Sequence, residues 1–299
     1  MLLLNNQKGI TIVELMVSIL VGIILIAGAT ATYIAQQRSF VAQENVSEVN
    51  TQPKIAMSMM VDDIRNAGFG APTDLNTTPI NGTTSVISSV DNNAAPDSIT
   101  IVSGFVQVGT LTCAVNPFDL NACGQAADVI TLNGGGIAVN DVISFDGIES
   151  AVVTAIAGNN ITLDQNLTIA YLVGRPVYLV DDVTYAVDGA NNLTRDGVML
   201  AENVEDLQLA YAVDADNNGQ TDDIGGTAGL IDAADFANAA ADPDTITAVR
   251  INILATTGRP DPNAVLGNPP ALIENRALAA TNDQLKRRWW QTVVTMRNR

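Results

Sequence analysis

Two periodicities divide the chain. From Ile10 to Ala35 it is almost wholly apolar and carries one charge, Glu14. About 20 apolar residues cross a bilayer as a helix, so this run is long enough to span one. From Gln36 to Asn66 the apolar positions thin to a stripe. Phe40, Val41, Val49, Ile55, Met59 and Ile64 recur at spacings near three, four and seven among polar residues, which predicts an amphipathic continuation of the helix. Pro53 falls inside this stretch and is expected to kink or interrupt it, because proline removes a backbone donor. Gly68 and Gly70, with Pro72 beyond, end the helix.

The stretch from Ala71 to Val90 is rich in Thr, Asn, Ser and Pro and reads as a surface loop. After it the pattern becomes that of strands between turns. The runs are Ser98–Val102, Asp128–Leu132, Asp141–Phe145, Ala151–Ile156, Val177–Val187, Val204–Val213, Thr245–Thr256 and Gln291–Met296. Turn signals such as Gly158-Asn159-Asn160 and Asp188-Gly189-Ala190-Asn191-Asn192 lie between them. The expected fold class is α+β, a long N-terminal helix on a β-rich head. The expected divisions are residues 1–9, a leader; 10–35, a membrane-spanning segment; 36–70, the amphipathic helix; and 71–299, the head.

Composition changes this picture little: 4% aromatic and 15% charged residues suit a turn-rich β domain better than a helical bundle. The net charge of −18 leaves no basic footprint for nucleic acid. Five of the 14 basic residues, Lys286, Arg287, Arg288, Arg297 and Arg299, crowd the C-terminus, either as a solvated strand edge or as a patch that docks on an acidic neighbour. Histidine is absent, which removes the commonest general base and transition-metal ligand. The chain has no nucleophile elbow, P-loop lysine or zinc motif. The adjacent pair Asp181 and Asp182 should point to opposite faces of a strand, against joint acid–base work. Cys113 and Cys123 flank a short loop; in an exported domain they read as a disulfide, in a cytosolic one as two free thiols.

The N-terminus decides the compartment. Lys8 precedes the apolar run and places that end in the cytoplasm, with the bulk of the chain outside. A secretory signal has a shorter apolar core and a small-residue cleavage site beyond it. Here the run is too long, and the cleavable position lies before it, at Lys8-Gly9-Ile10. A carboxylate five residues into such a run costs about 2.5–3.5 kcal/mol on insertion scales and marks function by default. The residues Lys8-Gly9-Ile10-Thr11-Ile12-Val13-Glu14-Leu15 resemble the type IV prepilin motif. The resemblance implies that a prepilin peptidase cuts after Gly9 and that the new amine of Ile10 is methylated, with Ile in place of the usual Phe. Glu14 then matches the family's buried glutamate. A carboxylate in low dielectric needs a cationic partner. In a filament, Glu14 of an incoming subunit can meet the Ile10 amine of one already placed.

Further segments resemble minor pilins of the PilW type: Asp62-Asp63-Ile64-Arg65-Asn66-Ala67-Gly68-Phe69, Val204-Glu205-Asp206-Leu207-Gln208, Val249-Arg250-Ile251 and the ending Arg297-Asn298-Arg299. Residues 71–203 offer no segment that we match to it. The resemblance implies a structural, non-catalytic subunit that enters or primes a type IV pilus with other major and minor pilins. The subunit would sit in the bacterial inner membrane, in contact with its lipid, before assembly and on the cell surface after it. Adhesion, DNA uptake and twitching motility are implied in the same way. The alternatives are a J-type pseudopilin of type II secretion and a membrane-anchored extracytoplasmic enzyme or binding protein.

One loop has metal-like spacing. Asp214, Asp216, Asn218, Gln220 and Asp222 occupy positions one, three, five, seven and nine of an EF-hand-like calcium loop, and Gly219 occupies the sharp turn at six. Position twelve is Gly225 rather than a bidentate Glu. The same residues also favour a plain hairpin turn. Asp232, Asp235, Asp242 and Asp244 lack ligand spacing and read as a solvated loop or short helix.

Overall fold

The computed structural model describes residues 11–112, 129–227, 231–240, 242–260, 269–279, 281 and 283–297, and only the backbone of residues 42, 45, 46 and 48. Gly9, Ile10, Cys113 and Cys123 lie outside these residues. The chain divides into two units, Met1–Glu48 and Val49–Arg299.

Helix α1 runs through Ile12–Arg65 as one element of 54 residues. Thr11 starts it: its hydroxyl accepts the N–H of Glu14 (3.2 Å) and its carbonyl that of Leu15 (3.1 Å). This is half of a Thr-x-x-Glu capping box, which satisfies an amide left without a partner at the helix start. In the first unit the large side chains of the apolar run are exposed throughout, from Ile12 at 78% to Ile34 at 42%.

In the second unit the helix buries one face. Val49, Pro53, Ala56, Met60 and Ile64 follow each other at three- and four-residue steps and are all buried, with Ala67 just past the helix end. Two expectations fail here. Ile55 and Met59 lie on the exposed side, so the buried stripe is rotated by one position from the one the bulkier residues predict. Ala56 replaces them at the core because a small side chain lets the helix approach the sheet. Pro53 does not interrupt α1. It leaves the Val49 carbonyl without that one bond, while packing of the buried face holds the adjacent turns. The helix ends as expected, with Gly68 and Gly70 at φ +79° and +71°.

The strands are β1 Ile87–Val90, β2 Ser98–Leu111, β3 Val129–Gly134, β4 Val142–Phe145, β5 Glu149–Ala157, β6 Asn160–Leu163, β7 Pro176–Val187, β8 Leu193–Arg195, β9 Val198–Ala201, β10 Val204–Val213, β11 Ile246–Thr256, β12 Leu272–Ile273, β13 Arg276–Ala277 and β14 Arg287–Thr295. Each of the eight runs read from the sequence coincides with a strand over most of its described residues. The region 71–90 is not wholly loop: it contributes β1 and buries Leu75, Ile80 and Ile87. The Gly158-Asn159-Asn160 turn leads directly into β6, which the sequence pattern missed.

The first nine strands pair in the order β1-β2-β3-β6-β5-β4-β7-β8-β9, and β2 also pairs with β7. That extra pairing closes β2, β3, β6, β5, β4 and β7 into a ring. Its interior is filled by Leu111, Ile143, Phe145, Val153, Leu167 and Val177, all at most 1% exposed. A ring this small holds only side chains. The second sheet, β10-β11-β14, is antiparallel. It forms the other main core with the buried face of α1, the start of β2 and the end of β7. Its core side is apolar: Leu207, Leu209, Tyr211, Val249, Ile251, Ile253 and Val294.

Candidate functional site

Three places carry chemistry, beginning with the start of α1. Glu14 lies in its first turn, where the partial positive charge of the helix end favours a carboxylate. Its neighbours Ile12, Val13, Leu15, Met16 and Val17 are more than half exposed. An ideal Cβ on Gly22 or Gly28 would meet nothing within 4 Å, so both present open backbone where another helix can approach closely. Residues Ile12–Val41 are long and apolar enough to cross a membrane. Water does not tolerate an apolar surface of this extent on one element. Lipid or neighbouring helices must cover it. Thr11 stands in the motif read from the sequence, and its Thr-x-x-Glu spacing also announces the cap seen here.

The second place is the acidic loop after β10. Carboxylate oxygens of Asp214, Asp216 and Asp222 lie within 4.8 Å of one another. The loop amides organise them. Asp214 accepts the N–H groups of Asn218 (3.0 Å) and Gly219 (2.9 Å), Asp216 that of Asn218 (3.1 Å), and Asp222 that of Ala215 (2.8 Å). Asn218 accepts the Gln220 N–H (2.8 Å). Asn217 and Gly219 take positive φ, +55° and +84°, which turns the chain tightly enough to bring the carboxylates together. The cluster is a set of hard oxygen donors, the ligand type that calcium takes. The second acidic group forms two short 3-10 helices, Ala233–Asp235 capped by Asp232 and Pro243–Thr245 capped by Asp242. Asp235 is buried and its carboxylate is tied to the amides of Asp232, Gly225 and Ile224, which hold it below the usual carboxylate range. It is a staple rather than a ligand.

The third place is the outer face of the β10-β11-β14 sheet, where the strands carry Asp206, Gln208, Arg250 and Asn252, all buried. Arg250 forms a two-pronged pair with Glu274 (2.7 and 2.6 Å), reaches the Ala233 carbonyl (3.1 Å) and lies over the Phe236 ring (4.7 Å). Asn252 bonds Glu274 (2.7 Å) and receives the indole N–H of Trp289 (3.1 Å) and the Gln291 amide (3.0 Å). Arg276 pairs with Asp206, and Gln208 bridges Asp206 and the Ala95 carbonyl (both 3.1 Å). The hairpin β12–β13 thus fastens over the sheet through buried, paired charges. The residues singled out as PilW-like, Asp206, Gln208 and Arg250, meet here and act as fasteners. Arg287 is spent similarly on Glu205 (2.6 Å) and Asp283 (2.5 Å). Asp181 and Asp182 are both tied to Asn81 Nδ2 (2.8 and 2.6 Å).

Residues 171–298 match the family model of Type IV Pilus-assembly protein W. Residues 4–30 match the Prokaryotic N-terminal methylation motif. No curated protein matches the chain. Among solved structures, the Type IV-like pilin TTHA1219 from Thermus thermophilus aligns over 83% of this chain and 96% of its own, at 12% identity and a TM-score of 0.29, a likeness too loose to build on. A methylation motif at the head of an exposed apolar helix, with a strand-rich head behind it, defines a type IV pilin-like protein. Within that class the match of residues 171–298 supports the PilW type of minor pilins.

Proposed function

We propose that this minor pilin is cut between Gly9 and Ile10 by a prepilin peptidase and methylated on the Ile10 amine. Its apolar helix rests in inner-membrane lipid, with the N-terminus cytoplasmic and the head periplasmic, and then passes into a pilus beside other pilins. Its role is structural. The observation that carries this reading is Glu14, a carboxylate in the first turn of a helix whose other side chains are exposed and apolar. Such a group needs a cation, and the amine that cleavage would free at Ile10 is the nearest in sequence. Export of the head would place Cys113 and Cys123 where a disulfide between them can form.

Two measurements test the reading. Mass analysis of the mature N-terminus should find methylated Ile10; an intact Met1 would defeat it. Glu14→Ala should be processed normally yet be missing from sheared pili on immunoblots. A J-type pseudopilin is the alternative, and deletion of the gene separates the two: loss of surface pili by electron microscopy supports the pilus role, and lost protein secretion with intact pili the alternative.

We infer further that the acidic loop takes one calcium ion through Asp214, Asp216, Asn218, Gln220 and Asp222. The clustering of three carboxylates supports this. The missing position-twelve carboxylate implies weak binding, in the range of about 0.1–1 mM. Calorimetric titration of the full chain in detergent should show one site, absent in Asp214→Ala. Equal heats for both proteins would count against it.

A further inference from the structure

Sheet edges expose rows of unpaired main-chain groups, and folded proteins blunt them by shortness, closure, charge, proline or a bulge. This head does so almost everywhere. The six-strand ring removes most edges, and the strands that end the larger sheet, β1 and β9, have four residues each. The free side of β10 is covered, since Leu207 accepts the Asp97 N–H (2.7 Å), the Leu209 N–H goes to the Asp97 carboxylate (2.8 Å) and Tyr211 pairs with Ala237.

β14 is different. Among the described residues it pairs only with β11, in nine consecutive positions without a register shift. Trp289–Thr295 contains no charge and no proline. The Met296 N–H donates to the Thr247 carbonyl (2.9 Å), and the ladder alternates, so Val294, Thr292 and Trp290 also face β11. Trp289, Gln291, Val293 and Thr295 therefore present their N–H and C=O groups outward. Trp289 and Val293 leave 46% and 52% of their surface exposed.

We propose that β14 is a docking edge that accepts, as a fourth strand of this sheet, an extended segment of another protein with acidic residues at both ends. The charge pattern selects that partner. Lys286 and Arg288 at one end of the strand and Arg297 just past the other are exposed, on a chain whose net charge is −18. Self-pairing is disfavoured by the same residues. An antiparallel pairing centred on Gln291 sets Lys286 of one copy next to Arg297 of the other at both ends, and a parallel one sets like on like. Added strands draw affinity from main-chain bonds and selectivity from side chains. The inference concerns the head alone and stands whether or not the filament reading holds.

The test uses the full chain in detergent and a fluorescein-labelled peptide, Asp-Asp-Thr-Val-Thr-Val-Thr-Val-Asp-Asp, followed by anisotropy and by amide exchange over residues 289–295. The wild type should bind it and slow exchange there; a Lys-ended version should bind at least about tenfold more weakly. Val293→Pro removes an outward N–H that no described strand uses, a position where an edge tolerates proline. It should lose binding at least about tenfold, while Val293→Thr keeps it. The double variant Arg288→Glu/Arg297→Glu, both on the surface, should reverse the preference toward the Lys-ended peptide. Absence of binding, unchanged binding in Val293→Pro, equal affinity for both peptides, or a β14-mediated dimer in sedimentation would each overturn the proposal.

Discussion

Asp97 is 2% exposed, and burial pushes its carboxyl up to about 6. The amides of Asn92 and Leu209 pull the other way, and the nearby charges of Asp91 and Asp206 add to the rise. Its folded value lies above the 3.8 of an unperturbed Asp, so the native state holds this proton more tightly than the unfolded chain. The stability it contributes is therefore fully present below the lower value and is lost as pH rises through the folded one. Asp283 has the opposite sign: the Arg287 hydrogen bond holds its carboxyl well below the usual range, so its contribution is present at neutral pH and fades in acid. Asp97→Asn should flatten the change in melting temperature between about pH 4 and about pH 6. Thermal melts of both proteins across that range check this; parallel curves would contradict it. Neither carboxylate could be singled out in the sequence, where Asp97 is one of many acidic residues beside turns. Its environment is made by Leu209, more than a hundred residues away.

At the scale of elements, α1 joins two kinds of helix in one rod of sequence. Its first part was legible because an apolar run of this length has few other readings. Its second part was legible as a helix but not as a packed face. Ile55 and Met59 looked like core residues and are exposed, while Ala56 and Met60 are fully buried. Hydrophobic spacing fixes the period to within a residue, and the partner surface fixes the phase. Met60→Ala should cost about 2–5 kcal/mol, the usual cost of truncating a packed core side chain. Met59→Ala, at 39% exposure, should cost well under half as much. Urea unfolding of both variants measures the difference, and equal losses would show that the buried stripe is misplaced. Among the strands, the long runs were readable from their alternation. β1, β6, β8, β9, β12 and β13 were not, because two to four residues carry too little pattern to stand apart from a turn.

At the scale of the whole molecule, both main cores lie in the unit that begins at Val49, and among the described residues none of the first unit belongs to either. Removing residues 1–48 should therefore yield a head that stays monomeric without detergent and melts within a few degrees of the full chain. Circular dichroism and sedimentation report both quantities; aggregation or a markedly lower melting point would contradict the division. The sequence by itself determined the anchor helix, the position of Glu14, the strand-rich class of the head and the local turn of the acidic loop. All of these rest on contacts between residues a few positions apart. Only the tertiary structure decided that β2 and β7 meet to close a ring, that Arg250 finds Glu274 under a hairpin, and that β14 has an open edge among the described residues. Those outcomes depend on which distant segments pair and what they exclude from water, and no local period in the chain encodes that choice.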